Sequence, residues 1–392
     1  MVKAFRYRIY PTKAQQTILE QTLEECRWVY NETLAYRRDA WQERQEAVYY
    51  YGTTKLLPQW KQNRPTLNIA YSQVLQNVQH RVDETFKGFF RRVKNGDGKV
   101  GYPRFKNQGR YRSITYPQSG FGITDDGRLH LSKIGDIKIG LHRPIKGTVK
   151  TVTINRYPTG KWFACFTAEV KPVPLPKTGK YVGLDLGLTT FATLSNGEKV
   201  ANPRFFRQEE KALAKAQRRL SKADKGTPEY TRKRKVVARV HERIVNKRTD
   251  FTHQLSHQLV DEYDVICFED LNIEGMVKNH CLAKSISDAA WRRLVTHTVQ
   301  KAENAARCVA LVNPHNTSQI CSRCGCLVKK PLSERIHSCP HCGLVLDRDL
   351  NAAINVLTLG LQGLDLGPGS PPLKRGEQSQ LGEHNVHHAK LS

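Results

Sequence analysis

The chain has 392 residues, room for two to four domains of ordinary size at about 100–200 residues each. Lys and Arg number 63 against 36 Asp and Glu, a net charge of +27 that points to a polyanionic partner, with nucleic acid ahead of an anionic membrane surface. No apolar run is long enough to span a bilayer and no secretory leader opens the chain, so the sequence reads as a prokaryotic cytoplasmic protein with no membrane role.

Residues 1–10, MVKAFRYRIY, alternate as a strand does, and Pro11 stops it. Thr12 then predicts an N-cap for a helix through about Arg44, with Leu19, Leu23, Cys26 and Tyr30 on one face. A second helix is predicted over about Tyr71–Lys94, from Leu75, Val78, Val82, Phe86, Phe89 and Val93 at spacings of three and four. Its other face carries Gln73, Gln76, Asn77, His80, Arg81, Lys87 and Arg91, which reads equally as a solvated surface or as a nucleic-acid face. From GYPRFK at 101 to about Val170, turn signals alternate with short β-type runs such as VKTVTINRY and KWFACFTAEV, predicting a small antiparallel barrel or sandwich. KPVPLPKTG at 171–179 reads as a linker and a domain boundary.

Residues 204–248 hold sixteen Lys and Arg against five Asp and Glu. They predict two helices about a turn at Gly226–Pro228, with phosphate contact favoured over a merely solvated hairpin. The last 30 or so residues, GLDLGPGSPPLKRGEQSQLGEHNVHHAKLS, lack the apolar content for a core and read as a disordered tail.

Three acids stand out. In KYVGLDLGLTTFATL, Asp185 sits in a strand-like run between Gly183 and Gly187, and glycines in a strand permit close approach by a ligand or another backbone. In DVICFEDLNIEGM, Glu269 ends an apolar run. In DRDLNAAINVLTLG, Asp349 opens a helix, where an acid by itself reads as a cap or dipole partner. Together, three carboxylates at strand and helix ends are what two Mg²⁺ ions about 4 Å apart require for phosphodiester hydrolysis. The two glycines would then let the scissile phosphate come close.

Five of the ten cysteines fall between 321 and 342. Cys321-x₂-Cys324, fourteen residues, then Cys339-x₂-Cys342, each pair followed by Gly, is the spacing of a four-thiolate Zn²⁺ ribbon. Cys326 is a spare that could replace Cys324. With no open position such a zinc is structural and folds a segment too small for its own core.

The Asp-x-Gly strand, the strand ending Glu-Asp-Leu, Asn-Thr-Ser before the four cysteines, and Asp-Arg-Asp-x-Asn-Ala-Ala resemble the TnpB (OrfB) family. That family comprises transposon-encoded, RNA-guided DNA endonucleases related to type V CRISPR effectors. FRYRIYPTKAQ, YPRFK and the length also match. The resemblance implies an α/β multidomain fold: an RNase H-like (RuvC) nuclease at 173–312 and 346–360 with a zinc ribbon inserted at 313–345. An N-terminal wedge-like β-barrel, residues 1–10 and 100–172, would be interrupted by a helical recognition domain at 11–99, and 361–392 would be the disordered tail.

The resemblance further implies Asp185, Glu269 and Asp349 as the Mg²⁺-binding triad, with Asp349 chosen over Asp347. It implies a guide RNA from the transposon end, a double-stranded DNA target cut beside a short target-adjacent motif, and a nucleoid-associated place in the cytoplasm. Arg335 matches a basic ribbon position placed to contact the scissile phosphate. Gln73, Gln76 or Asn77 would read the adjacent motif, and Lys87 and Arg91 would contact backbone. Three rivals remain. One is an ATPase of the actin/Hsp70 type, with GLDLGPG at 363–369 mimicking its second phosphate loop. The others are a non-catalytic regulator of transposition, and a DNA-binding, strand-joining transposase without guided cleavage.

Overall fold

The computed structural model describes residues 1–364 apart from Asp97, Lys99, Leu332 and the side chain of Cys281. The tail expected at 361–392 therefore lies almost wholly outside the described residues, as does most of GLDLGPG. The chain divides into two units between Lys171 and Pro172.

In the first unit, strand β1 (Val2–Tyr10) buries Phe5, Tyr7 and Ile9 by alternation and leads into helix α1 (Lys13–Arg44). Thr12 and Gln15 form a reciprocal capping box, each side chain bonding the other's backbone N–H. Two short helices, α2 (Tyr50–Thr54) and α3 (Leu57–Asn63), precede α4 (Ser72–Lys94). Six strands complete the unit: β2 (Ser113–Tyr116), β3 (Phe121–Ile123), β4 (Leu129–Leu131), β5 (Gly135–Gly140), β6 (Thr148–Arg156) and β7 (Trp162–Glu169). With β1 they form one antiparallel sheet in the order β2-β6-β7-β1-β5-β4-β3.

The apolar stripe predicted for α4 is buried at Leu75, Val78, Val82 and Phe86 but not at its end. Val93 is exposed, and Phe89 is partly buried, its ring packed on those of Phe90 and Tyr102. Arg81, which the sequence places on the polar face, turns inward and donates to the Ser113 carbonyl at 2.9 Å and to the Tyr111 hydroxyl, tying α4 to β2. A buried ion pair, Arg37–Asp83 at 2.8 Å, joins α1 to α4.

The proline-rich stretch is no free linker. Val173 and Leu175 donate to the carbonyls of Asn304 and Ala305, and Thr178 and Gly179 donate to the Asp264 carboxylate. After it come β8 (Tyr181–Asp185), β9 (Thr190–Leu194) and β10 (Lys199–Ala201), an antiparallel meander. The basic hairpin follows as α5 (Phe205–Ser221) and α6 (Pro228–Glu262), packed through Leu213, Val240 and Ile244. α6 runs well past the expected end near residue 248, because Leu255, Leu259 and Val260 continue its buried face. Then come β11 (Val265–Glu269), α7 (Ile273–Met276), α8 (His280–Ala289), α9 (Trp291–Ala305) and β12 (Cys308–Val312). A two-stranded ribbon, β13 (Ile336–Ser338) and β14 (Val345–Asp347), leads into α10 (Arg348–Gly363). The main sheet runs β10-β9-β8-β11-β12, with β8, β11 and β12 parallel.

Of the two purposes the sequence allows the glycines flanking Asp185, Gly183 serves close approach by another backbone and not by a phosphate. A Cβ on Gly183 would collide with the Ala353 carbonyl and lie 2.5 Å from the Leu357 nitrogen, so α10 occupies the space left by the missing side chain. A Cβ on Gly360 would in turn strike the Cys267 sulfur. Two glycines, one on the sheet and one on the helix, thus let α10 lie directly on β8 and β11. Gly187 serves the turn after β8, where a Cβ would meet the Thr190 carbonyl at 2.8 Å. None of the three opens space for a phosphate.

Candidate active site and metal centre

β8 and β11 are adjacent and parallel, so Asp185 and Glu269 both lie at their C-terminal ends. In open α/β sheets that end is where ligands bind. α10 brings the third acid. Asp347 is its N-cap, accepting from the N–H groups of Asp349 and Leu350 at 2.9 and 3.1 Å and pairing with Lys199 at 2.8 Å. That occupies Asp347 and leaves Asp349, in the first turn, paired with Arg348 at 3.0 Å and with Arg335 at 3.6 Å.

The acids feel one another. Burial, and then the negative charges of Glu269 and Asp349, push the Asp185 carboxyl up to about 8. Burial also raises Glu269, against the opposing hydrogen bond from the Thr317 hydroxyl at 2.6 Å. Such a site is held together against its own electrostatics and favours a cation. Asp185→Asn is therefore expected to stabilise the metal-free protein by roughly 1 kcal/mol, discounted because the carboxyl is partly open to solvent. Thermal melts should show this, along with a Mg²⁺-induced rise in the wild type that the variant loses. Equal Mg²⁺ responses would remove Asp185 from the site.

Thr317, Asn351 and Asn355 were not singled out from the sequence, although they lie in the quoted Asn-Thr-Ser and Asp-x-Asn stretches. Asn351 and Asn355 are buried one turn apart on α10, and both donate to the Ile320 carbonyl at 2.7 Å. Asn351 also accepts from the Ser322 N–H at 3.0 Å, and Asn355 donates to the Thr317 carbonyl at 2.8 Å. The segment that steadies Glu269 is thus bolted to the helix that carries Asp349. Buried amides at a four-residue spacing on an otherwise apolar helix were the available signal.

Cys321, Cys324, Cys339 and Cys342 have their sulfurs all within 4.8 Å of one another, a grouping that no other set of three or more candidate metal ligands matches among the described residues. The three carboxylates are gathered more loosely than that. Cys321–Cys342 and Cys324–Cys339 are 3.5 and 3.6 Å apart. A tetrahedron with Zn–S bonds of about 2.3 Å has edges of about 3.8 Å, so the donor set fits Zn²⁺. Gly325 and Gly343 follow the two pairs in left-handed conformation, φ 75° and 69°, and bond back to the Cys321 and Cys339 carbonyls. In the metal-free cluster the thiols share their protons unevenly: against burial, the N–H groups of Cys324 and Arg323 lower Cys321, whereas Cys324 and Cys342 are raised. Cys326 stays outside the cluster; its carbonyl accepts from the Cys321 N–H and its own backbone N–H bonds the Cys324 thiol.

Arg335, half exposed on the ribbon, reaches both Asp349 and the Thr189 hydroxyl, the latter at 3.4 Å. In the first unit Gln73, Gln76 and Asn77 line a cavity of about 240 Å³ with Tyr50 and His80. Gln73 accepts from the Ser119 N–H and hydroxyl, and the Asn77 side-chain oxygen is buried with no hydrogen-bond partner among the described residues. Lys87 is engaged by Asp83 and Glu84 at 3.1 and 2.8 Å, whereas Arg91 is exposed. No described helix is long and apolar enough to cross a membrane.

Family profiles described as "Probable transposase", "Cas12f1-like, TNB domain" and "Helix-turn-helix domain" match residues 165–280, 291–356 and 1–46. The last name does not describe the structure, which has one strand and one uninterrupted helix there. A Streptomyces pristinaespiralis protein named "Putative RNA-guided DNA endonuclease" is 36% identical over 98% of this chain and 95% of its own. InsQ of Escherichia coli, described in the same words, is 28% identical over 92% of each chain. Among solved structures, Cas12f1 from a complex with sgRNA and target DNA superposes with a TM-score of 0.57 at 12% identity, covering 91% of this chain and 98% of its own. The mini-RNA-guided endonuclease Cas-phi3 gives 0.51 at 9% identity, covering 95% and 94%. The fold is therefore that of the Cas12 effectors, and by its near-full-length identity to the Streptomyces protein the chain belongs to the TnpB (OrfB) family.

Proposed function

We propose that the protein is an RNA-guided endonuclease of an insertion sequence that cleaves double-stranded DNA beside a short target-adjacent motif. The observation that carries this reading is the gathering of Asp185, Glu269 and Asp349, from three distant segments, at one end of a mixed sheet. Those carboxylates are the residues that would hold two Mg²⁺ ions, which when bound supply an activated water and stabilise the departing oxygen of a phosphodiester. The protein's own groups do the positioning. Thr317 orients Glu269, the Gly183 contact seats the helix that carries Asp349, and Arg335 stands where a phosphate oxygen at the acids would need a countercharge.

In this reading the cysteine cluster holds one structural Zn²⁺, and residues 173–312 and 346–360 are the RuvC-like nuclease around the ribbon at 313–345. The sheet of the first unit is the wedge, 11–99 the recognition helices, and the net charge of +27 serves a guide RNA from the transposon end and the target duplex. Base pairing reads most of the target. The amide-lined cavity on α4 supports the assignment of Gln73, Gln76 and Asn77 to the adjacent motif, since amides pair with adenine edges. Arg91 is the better backbone contact, because Lys87 already has two carboxylate partners.

The test is cleavage, with the transposon-end RNA, of a library carrying a matched target and randomised flanks. Mg²⁺-dependent cutting confined to one flank class is expected, with the triple Gln73→Ala, Gln76→Ala, Asn77→Ala variant relaxing that preference by about 1–3 kcal/mol per lost base contact. Joined strands without guide-dependent cuts would instead favour the strand-joining transposase that the first family description suggests.

A further inference from the structure

Beside the acids lies a second cavity, about 460 Å³, that the cleavage chemistry does not use. Its walls come from the turn after β8, the start of α5 and the end of α8. They present Thr189, Arg204, Arg207, Lys284, Ser285 and Asp288. The volume falls within the ~300–1,000 Å³ typical of ligand sites.

The charges in and around it do not cancel. Asp288, nearly fully buried, is already satisfied, accepting from the Phe206 N–H at 2.9 Å and from Arg248 at 2.6 Å. Glu210, outside the wall, pairs with Lys284 and, at 3.7 Å, with Arg207. Arg204 has no side-chain partner among the described residues. Its backbone is in the left-handed region, φ 49°, tied by its N–H to the Asn202 side chain, which in turn donates to the Leu188 carbonyl. Three cationic groups on the wall, with Arg248 behind Asp288, therefore face two carboxylates, and Arg204, at the N-cap of α5, is the least engaged of them.

The cavity is also joined to the acids. Thr189 on its wall accepts from Arg335, whose other nitrogen pairs with Asp349. Thr189 stands four residues beyond Asp185, a span of at most about 14 Å for extended chain.

We propose that this cavity is a nucleotide subsite for the DNA strand being cut. It takes a phosphodiester on Arg204 and Lys284 and the attached sugar against Thr189 and Ser285, and so sets where along the strand the bond at the acids falls. At ~3.4 Å of rise per nucleotide, the occupant lies within about four nucleotides of that bond. The inference rests on the endonuclease reading above.

The test is a set of guide-matched targets carrying one neutral methylphosphonate at each of the four positions on either side of the cut, cleaved by the wild type, Arg204→Gln and Lys284→Gln. One position should slow the wild type about tenfold or more, as loss of a charge-assisted contact does, and the same position should cost the variants little further. Using two variants keeps the outcome readable if one of them folds poorly. Independent, additive effects at every position would overturn the subsite, as would coupling found only on the guide or on the uncut strand. A wild type that cuts no matched duplex would instead bring down the endonuclease reading, and the subsite with it.

Discussion

Asp349→Ala is expected to reduce DNA cleavage by about a thousandfold or more, with guide and target binding retained. Metal-site carboxylates carry several kcal/mol of transition-state stabilisation, and each 1.36 kcal/mol is a factor of ten. Asp185→Ala and Glu269→Ala should match it. Asp347→Ala is the contrasting case, because that carboxylate spends its two oxygens on helix N–H groups and Lys199. Losing a cap costs about 1 kcal/mol of stability and should leave most of the activity. Cleavage of a matched duplex under single-turnover conditions, with filter binding alongside, separates the two. Full activity in Asp349→Ala together with loss in Asp347→Ala would exchange their roles.

Cys339→Ser is expected to lose both the zinc and the cleavage activity, whereas Cys326→Ser should keep both. A structural four-thiolate site is worth ~10–16 kcal/mol of apparent metal affinity, far more than a segment of this size recovers from packing. The loss should reach the acids along a defined route. The ribbon carries Arg335, and Ile320 and Ser322, beside Cys321, hold Asn351 on α10. Elemental analysis should give about one zinc per wild-type chain. Hydrogen exchange should show α10 opening in Cys339→Ser. Zinc retained in Cys339→Ser but lost in Cys326→Ser would reassign the ligands.

What could be read from the sequence was what short-range chemistry dictates. The Cys-x₂-Cys-Gly pairs specify their own knuckles, Thr12 caps its own helix, and alternation in residues 1–10 fixes which side of β1 is buried. The acids were legible as types at element ends, and choosing Asp349 over Asp347 relied on family resemblance. What escaped was whatever depends on a neighbour remote in sequence. Gly183 looked like room for a substrate because nothing near it in sequence shows that Ala353 and Leu357 fill the gap. Arg81 looked exposed because its partners, Tyr111 and Ser113, lie beyond the end of α4. The strap at 173–179 looked like a linker because its bonding partners are Asp264, Asn304 and Ala305.

The seating of α10 on β8 also bears on how the protein is made. The strand that carries Asp185 is synthesised early, but the helix that fills the gap over Gly183 and supplies the last acid follows only after 347 residues. At ~5–20 residues per second, the more than 160 residues between Asp185 and Asp349 take roughly ten to thirty seconds to emerge. Once Glu269 has emerged, the nascent chain carries its basic hairpin and, on the endonuclease reading, can hold nucleic acid, but it has only two of the three carboxylates. On the endonuclease reading, a chain that ends between Glu269 and α10 therefore binds nucleic acid without cutting it, and the capacity to cut arrives only once α10 has been made.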